Sequence, residues 1–288
     1  MRDYVIFTDS ACDIPVETLE EWGVGYRSLT YIFDGDPRQY SNYELPCPEF
    51  YERVRRGGVA HTSAVNADAF REGFEEILKA GKDILYIGFS TGLSATCNAA
   101  NIAARELREQ YPEADIRCVD TRGASAGFGL LLYMAVEKKK AGATLAENEQ
   151  YILDNRFHLC HWFTVEDLVY PKRGGRISAT TAFVGNMLNF KPVMHMDDPG
   201  HLINMFKVRG RKSSLEALAD KYGELALDKA GGTVFISHGD CADDAKKLSG
   251  MLFERYGVRV SMIVNVGPVI GAHSGPGTMA LFFLGKHR

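Results

Sequence analysis

Between Gly88 and Thr96 the chain carries four hydroxyls in nine residues: Ser90, Thr91, Ser94 and Thr96. Ala95 to Leu107 favours helix, with Ala99, Ile102, Ala103 and Leu107 on one face, and Ser94 stands where an N-cap belongs. A helix start leaves backbone N–H groups free and carries the positive end of the dipole. With hydroxyls around it, such a start can hold a carboxylate or phosphate. The plain alternative is a turn whose hydroxyls only cap. Thr62 and Ser63 form a second hydroxyl pair, at the end of the extended piece Val59–Ser63 and ahead of a helix that Asn66 caps. If both strand ends belong to one sheet, they converge on one ligand.

Two further stretches have anion-binding chemistry. Arg173-Gly174-Gly175-Arg176 sets two guanidiniums around two glycines, pairing planar donor forks with backbone that a ligand can approach closely. Val266 to Gly277 holds four glycines and two prolines around His273 and Ser274, an unusual backbone path beside a residue that can donate to an anion or exchange a proton near neutral pH. Phe206 to Lys212 is a basic patch that by itself reads as a solvated face.

A rival reading starts from Gly88-Phe89-Ser90-Thr91-Gly92, which matches the nucleophile elbow of α/β-hydrolases. Ser90 would attack, Asp240 would orient and His273 would act as base. Against it, Gly92 and the better cap Ser94 start the helix too late. No HGG-type oxyanion segment lies upstream, and the second half lacks the strand–helix alternation of a hydrolase sheet. A phosphate loop fails because no Gly-Lys-Ser/Thr follows the turn. Asp9 and Asp13, spaced i, i+4 rather than i, i+2, read as capping and turn residues.

The elements that must position these residues follow from the pattern. Tyr4–Thr8, Tyr26–Phe33, Asp83–Ile87 and Ile116–Asp120 read as strands alternating with helices, which predicts a parallel sheet with helices on both faces. After about residue 155 the texture changes to α+β with hairpins, one of them turning at Asp197-Asp198-Pro199-Gly200. The expected organisation is an α/β parallel-sheet domain over 1–155 and an α+β domain over 156–288. The 288 residues are 45% hydrophobic and 24% charged, with a net charge of −4, so no general attraction to nucleic acid is expected. No run of about 20 apolar residues is present, as a spanning helix would need. The first residues enter a strand without a signal-peptide pattern, and six scattered cysteines without a C-x-x-C pair argue for reduced thiols in a cytoplasm rather than for a zinc or disulfide framework.

Taken together the motifs resemble the DegV family. The resemblance rests on Thr8-Asp9-Ser10 with Asp13-Ile14-Pro15, on Thr62-Ser63, and on Ser90 through Leu93-Ser94-Ala95-Thr96. It continues through Arg173-Gly174-Gly175-Arg176-Ile177, Lys207-Val208-Arg209-Gly210 and His273-Ser274-Gly275-Pro276-Gly277. It implies a non-catalytic carrier that buries a long-chain fatty acid, with no cofactor or metal, and presents its carboxylate to a fatty-acid kinase for acyl-phosphate formation. Transient membrane contact fits that role. Carried over by residue, Thr62 and Ser94 hold the carboxylate, helped by the amide of Ala95 and by Ser63, with His273 close to the head group. Arg173, Arg176 and Arg209 fall at the pocket mouth or on the partner-facing surface, with Arg176 placed among the binding residues. The sequence departs from the family pattern at Ala64-Val65-Asn66 and at Ala95-Thr96-Cys97. A helix start contributes roughly 0.3–2 kcal/mol to holding a carboxylate. Burial of an acyl chain contributes about 0.8 kcal/mol per CH₂, so a chain of about 16 carbons supplies on the order of 10 kcal/mol. The tail then sets affinity and the polar cluster sets orientation, with Phe128, Met187, Leu188 and Ile270 as candidate tunnel residues.

Overall fold

Apolar runs bounded by turn residues become strands, and the order in which they pair decides which loops meet. The computed structural model describes residues 2–177 and 189–288. In the first half the strands are β1 (Tyr4–Asp9), β2 (Gly25–Arg27), β3 (Thr30–Phe33), β4 (Gln39–Ser41), β5 (Ala60–Ser63), β6 (Asp83–Gly88) and β7 (Ile116–Asp120). The helices are α1 (Val16–Glu21), α2 (Cys47–Arg55), α3 (Ala67–Lys79), α4 (Thr96–Gln110), α5 (Ala126–Lys140) and α6 (Leu145–Asn155). Strands β2, β1, β6 and β7 form a parallel sheet in that order, with Ile6 opposite Leu85 and Ile84 opposite Ile116. All six residues of β6 are buried, as a central strand covered on both faces requires. The cap expected at Asn66 is made, its side chain accepting the Ala69 N–H, and Thr144 forms a capping box with Glu147.

The strand expected over Tyr26–Phe33 is two strands in two sheets. The Leu29 N–H is taken by the Ser10 hydroxyl at 2.9 Å, and the Ser28 hydroxyl donates to the Leu29 carbonyl at 2.8 Å. This interrupts the ladder, and Thr30–Phe33 leaves for a three-stranded antiparallel sheet ordered β4-β3-β5. The hydroxyl pair on β5 therefore does not share a sheet with the loop after β6.

The second half contains β8 (Leu159–Thr164), α7 (Val169–Arg173), β9 (Phe190–Met196), β10 (Leu202–Arg209), α8 (Arg211–Leu225), β11 (Val234–His238), α9 (Ala242–Tyr256), β12 (Met262–Asn265), α10 (Pro268–Ser274) and β13 (Met279–Leu284). Its six-stranded sheet is ordered β10-β9-β8-β13-β11-β12, antiparallel throughout except between β11 and β12. The fold is thus α/β, with an N-terminal parallel-sheet unit and a C-terminal sheet-plus-helix unit. Alternation along β13 divides the core: Ala280 and Phe282 face the first half, while Met279, Leu281 and Phe283 pack under α8 and α9 with Leu218, Tyr222 and Leu248. No helix among the described residues is long and apolar enough to cross a membrane.

The glycine- and proline-rich stretch before β13 is more regular than its composition suggests. Pro268 opens α10 at its first turn, where a missing N–H costs nothing, and Gly275 closes it. His273 therefore sits on the last turn of a helix rather than in an irregular loop.

Candidate functional site

In an open parallel sheet the loops after the strands meet at the carboxyl edge. Here the loops after β2, β6 and β7 meet the inner face of the six-stranded sheet and α10, and together they enclose a cavity of about 240 Å³. The sheet register sets its wall. Phe163 lies opposite Ala280, which lies opposite Ser237, and all three line it. Leu29, Phe89, Met196, Val269, Ile270 and Phe282 make most of the remaining surface apolar.

Thr62, Ser94, Ala95, Arg176, His273 and Ser274 also line the cavity. Thr62 and His273, 211 residues apart in sequence, are joined by a 2.8 Å hydrogen bond between Oγ1 and Nε2. Burial pushes the His273 imidazole down to about 4, and the electrostatic influence of Arg176 and His61 adds to the shift, so the ring is neutral at neutral pH. Its Nδ1 has no hydrogen-bond partner among the described residues, and neither does the Ser274 hydroxyl. The ring packs against Gly174, where an added Cβ would lie 2.1 Å from Nδ1. This contact joins the Arg-Gly-Gly-Arg stretch to the His273 segment.

Helix α4 begins at Thr96, with Ala95 rather than Ser94 in the capping position. The Ser94 hydroxyl nevertheless accepts the Thr96 N–H at 3.2 Å and shares a 2.9 Å hydrogen bond with the Thr96 hydroxyl. Arg176 fixes the turn from the other side, donating from Nε to the Leu93 carbonyl at 3.2 Å and from Nη1 to the Gly174 carbonyl at 2.5 Å. Arg176 and Leu202 also line an outer groove with Gly92, Gly175 and His201, so the guanidinium stands between the cavity and the surface. Arg173 and Arg209 are exposed and do not line the cavity.

Not every residue singled out in the sequence reaches this place. Alternation along β5 turns Thr62 inward and leaves His61 and Ser63 exposed, with His61 paired to Asp34 at 2.9 Å. Ser63 does not line the cavity. Of the expected tunnel residues, Ile270 lines the wall. Phe128 lies one layer behind, stacked on Phe89 with centroids 6.2 Å apart. Met187 and Leu188 lie outside the described residues. Asp9 has the capping role expected of it, accepting the Ala11 N–H at 3.1 Å, and it also receives the Tyr86 hydroxyl at 2.6 Å and the Phe89 N–H at 3.0 Å.

The residues of the nucleophile-elbow reading are engaged elsewhere. Ser90 is fully buried, donates to the Gly200 carbonyl at 2.9 Å and accepts the Gly92 N–H at 3.1 Å. His273 is bonded to Thr62, and Asp240 is paired with Arg55. Sequence reasoning missed Ser125 and Ser237, which line the cavity as a second hydroxyl pair. The available signal was a third hydroxyl-bearing strand end, Thr121 to Ser125 after β7.

A family model described as "Uncharacterised protein, DegV family" matches residues 3–286. The chain belongs to the DegV family. A DegV domain-containing protein of Clostridium perfringens is 43% identical over 288 residues, covering 99% of this chain and 98% of that one. The DegV fold is shared with a fatty-acid-binding DegV family protein from Thermus thermophilus, at 27% identity and a TM-score of 0.89, covering 99% and 100% of the two chains. A stearic-acid-binding protein from Eubacterium ventriosum gives 25% identity and a TM-score of 0.88, with 98% of each chain covered. The DegV resemblance seen in the motifs thus extends over the whole fold.

Proposed function

We propose that this chain binds a long-chain fatty acid in its cavity without transforming it, and presents the carboxylate to a fatty-acid kinase for acyl-phosphate formation. The observation that carries the reading is the hydrogen-bonded Thr62–His273 pair, beside Ser94 and a helix start, in an otherwise largely apolar cavity. A neutral His273 can donate from Nε2 to Thr62 Oγ1, which turns the threonine proton toward a carboxylate oxygen. Ser94 and the Ala95 amide then serve the other oxygen, at the positive end of α4. The apolar wall takes the acyl chain and supplies most of the affinity. Solved relatives described as binding fatty acids support the ligand class.

Arg176, between cavity and outer groove, places positive charge where the head group meets the surface. There it offsets the carboxylate charge until a partner engages, and the exposed Arg173 and Arg209 are free to face an acidic partner surface. We place the division between the two units near residue 155, between α6 and β8, with the cavity shared by both. The six free cysteines fit a reducing compartment such as the cytoplasm, and transient membrane contact is the route by which a chain of this hydrophobicity would enter and leave.

The test compares stearic acid with stearyl alcohol on delipidated protein. Carboxylate recognition predicts tighter binding of the acid, and Thr62→Ala should narrow the difference by roughly 10-fold. Equal affinities for acid and alcohol would remove the carboxylate site. Loaded protein with ATP and a cognate fatty-acid kinase should yield acyl phosphate, and loaded protein with ATP alone should not.

A further inference from the structure

Away from the Thr62–His273 pair the cavity wall carries a second built polar group. The Ser125 hydroxyl donates to Asp13 Oδ2 at 2.5 Å and lies 3.0 Å from the Ser237 hydroxyl. Asp13 and Ser125 are each 5% exposed and Ser237 is fully buried, yet both serines line the cavity. The three residues come from the turn after β1, the start of α5 and β11, and they share no hydrogen bond with Thr62 or His273. Both members of the Asp13–Ser125 bond are held at positive φ, Asp13 at +55° and Ser125 at +54° with ψ −154°, conformations that side-chain-bearing residues seldom adopt. The fold thus holds an uncommon backbone conformation at both residues that place this hydroxyl on the cavity wall.

Counting protons gives the wall a direction. An ionised Asp13 only accepts, so Ser125 spends its single proton on it and can only accept from Ser237. Ser237 then spends its own proton on Ser125. Its remaining lone pairs have no other donor among the described residues. The wall at Ser237 accepts a hydrogen bond and has none to give.

We infer that Ser237, backed by Ser125 and Asp13, is a second recognition point for the acyl chain, and that the cavity selects a long-chain fatty acid bearing a hydroxyl on its chain over the corresponding ketone. The inference rests on the fatty-acid reading above and deepens it. An alcohol donates to Ser237, whereas a ketone, with acceptors only, meets an acceptor. Burial raises the Asp13 carboxyl to about 7, so the measurement belongs above neutral pH, where the proton direction is fixed.

Delipidated protein is titrated with stearic acid, with a positional series of monohydroxystearic acids, and with their oxo counterparts. One hydroxyl position, or two adjacent ones, should bind roughly 10-fold more tightly than positions elsewhere along the chain, and the ketone at that carbon should lose the advantage. Ser237→Ala should bring the favoured isomer down to the level of its neighbours. The positional profile and the ketone comparison use the wild-type chain, so they hold even where the variant folds poorly. A flat profile, or a ketone as tight as the alcohol, overturns the inference while leaving stearic acid binding intact. Failure of every acid in the series, stearic acid included, overturns the fatty-acid reading and this inference with it.

Discussion

Replacing Gly174 by alanine tests how the Thr62–His273 end of the cavity is assembled. The new Cβ would stand 2.1 Å from His273 Nδ1 and 3.1 Å from its Cγ, whereas ordinary contact begins at 3.4 Å. The ring must therefore retreat by 1.3 Å, the gap between 2.1 and 3.4 Å, while its other nitrogen is held at 2.8 Å by Thr62. The Gly174 backbone, at φ −68° and ψ −12°, suits alanine, so no backbone strain enters. Overpacking of this kind costs about 1–3 kcal/mol of stability, and losing an aligned hydrogen bond costs about 0.5–1.5 kcal/mol. If the ring orients Thr62 for the carboxylate, stearic acid should bind roughly 2- to 10-fold more weakly. The adjacent Gly175 provides the contrast. It has φ +66° with open space around its Cβ, so Gly175→Ala should cost about 1–2 kcal/mol through backbone strain alone and leave affinity in place. Urea unfolding and calorimetric titration of both variants separate the two effects. Wild-type stability and affinity in Gly174→Ala would show that His273 is not held as described. An equal loss of affinity in both variants would assign the effect to the loop rather than the ring.

Ser90→Ala should destabilise the fold by about 1–3 kcal/mol, because the Gly200 carbonyl and Gly92 N–H lose a buried partner; fatty-acid affinity should persist, and loss of an esterase activity instead would revive the hydrolase reading. Asp13 has its carboxyl raised to about 7 from an ordinary value of 3.8. A raised carboxyl contributes stability at acid pH that is lost as pH rises through about 7, so Asp13→Asn should gain on the wild type between pH 4 and 7, by on the order of 4 kcal/mol. The buried His273 and His195 act in both proteins and cancel in the difference, whereas Asp9, whose charge helps to raise Asp13, belongs to the effect being measured; a pH-independent difference in urea unfolding would refute the assignment. Removing bound lipid should lower the melting temperature, and reloading at about 100 times Kd should restore about 2.7 kcal/mol; identical melting before and after, with lipid loss verified, would contradict a ligand specific to the folded state.

What was legible in the sequence was local. Hydroxyls at strand ends, the cap at Asn66, and the change of texture after residue 155 all depend on residues within one or two turns of each other. Thr62–His273 and Ser125–Asp13 span 211 and 112 residues, and no spacing rule pairs them. The family resemblance put Thr62 and His273 at the same end of the expected ligand without pairing them, and was silent on Ser125 and Asp13. Ser63 looked equivalent to Thr62 because residue type does not reveal which face of a two-residue alternation is inward. The break at Leu29 was hidden because the acceptor of its N–H is a serine 19 residues earlier. Helix α10 was hidden because it is short and Gly271 lowers its helix propensity, while packing against α2 and α7 restores it.

The most direct measurement is native mass spectrometry of the purified chain, followed by denaturation and identification of whatever is released. The account predicts a long-chain fatty acid at near one per chain, or stoichiometric uptake of stearic acid by delipidated protein. A chain that carries no lipid and takes none up would contradict it.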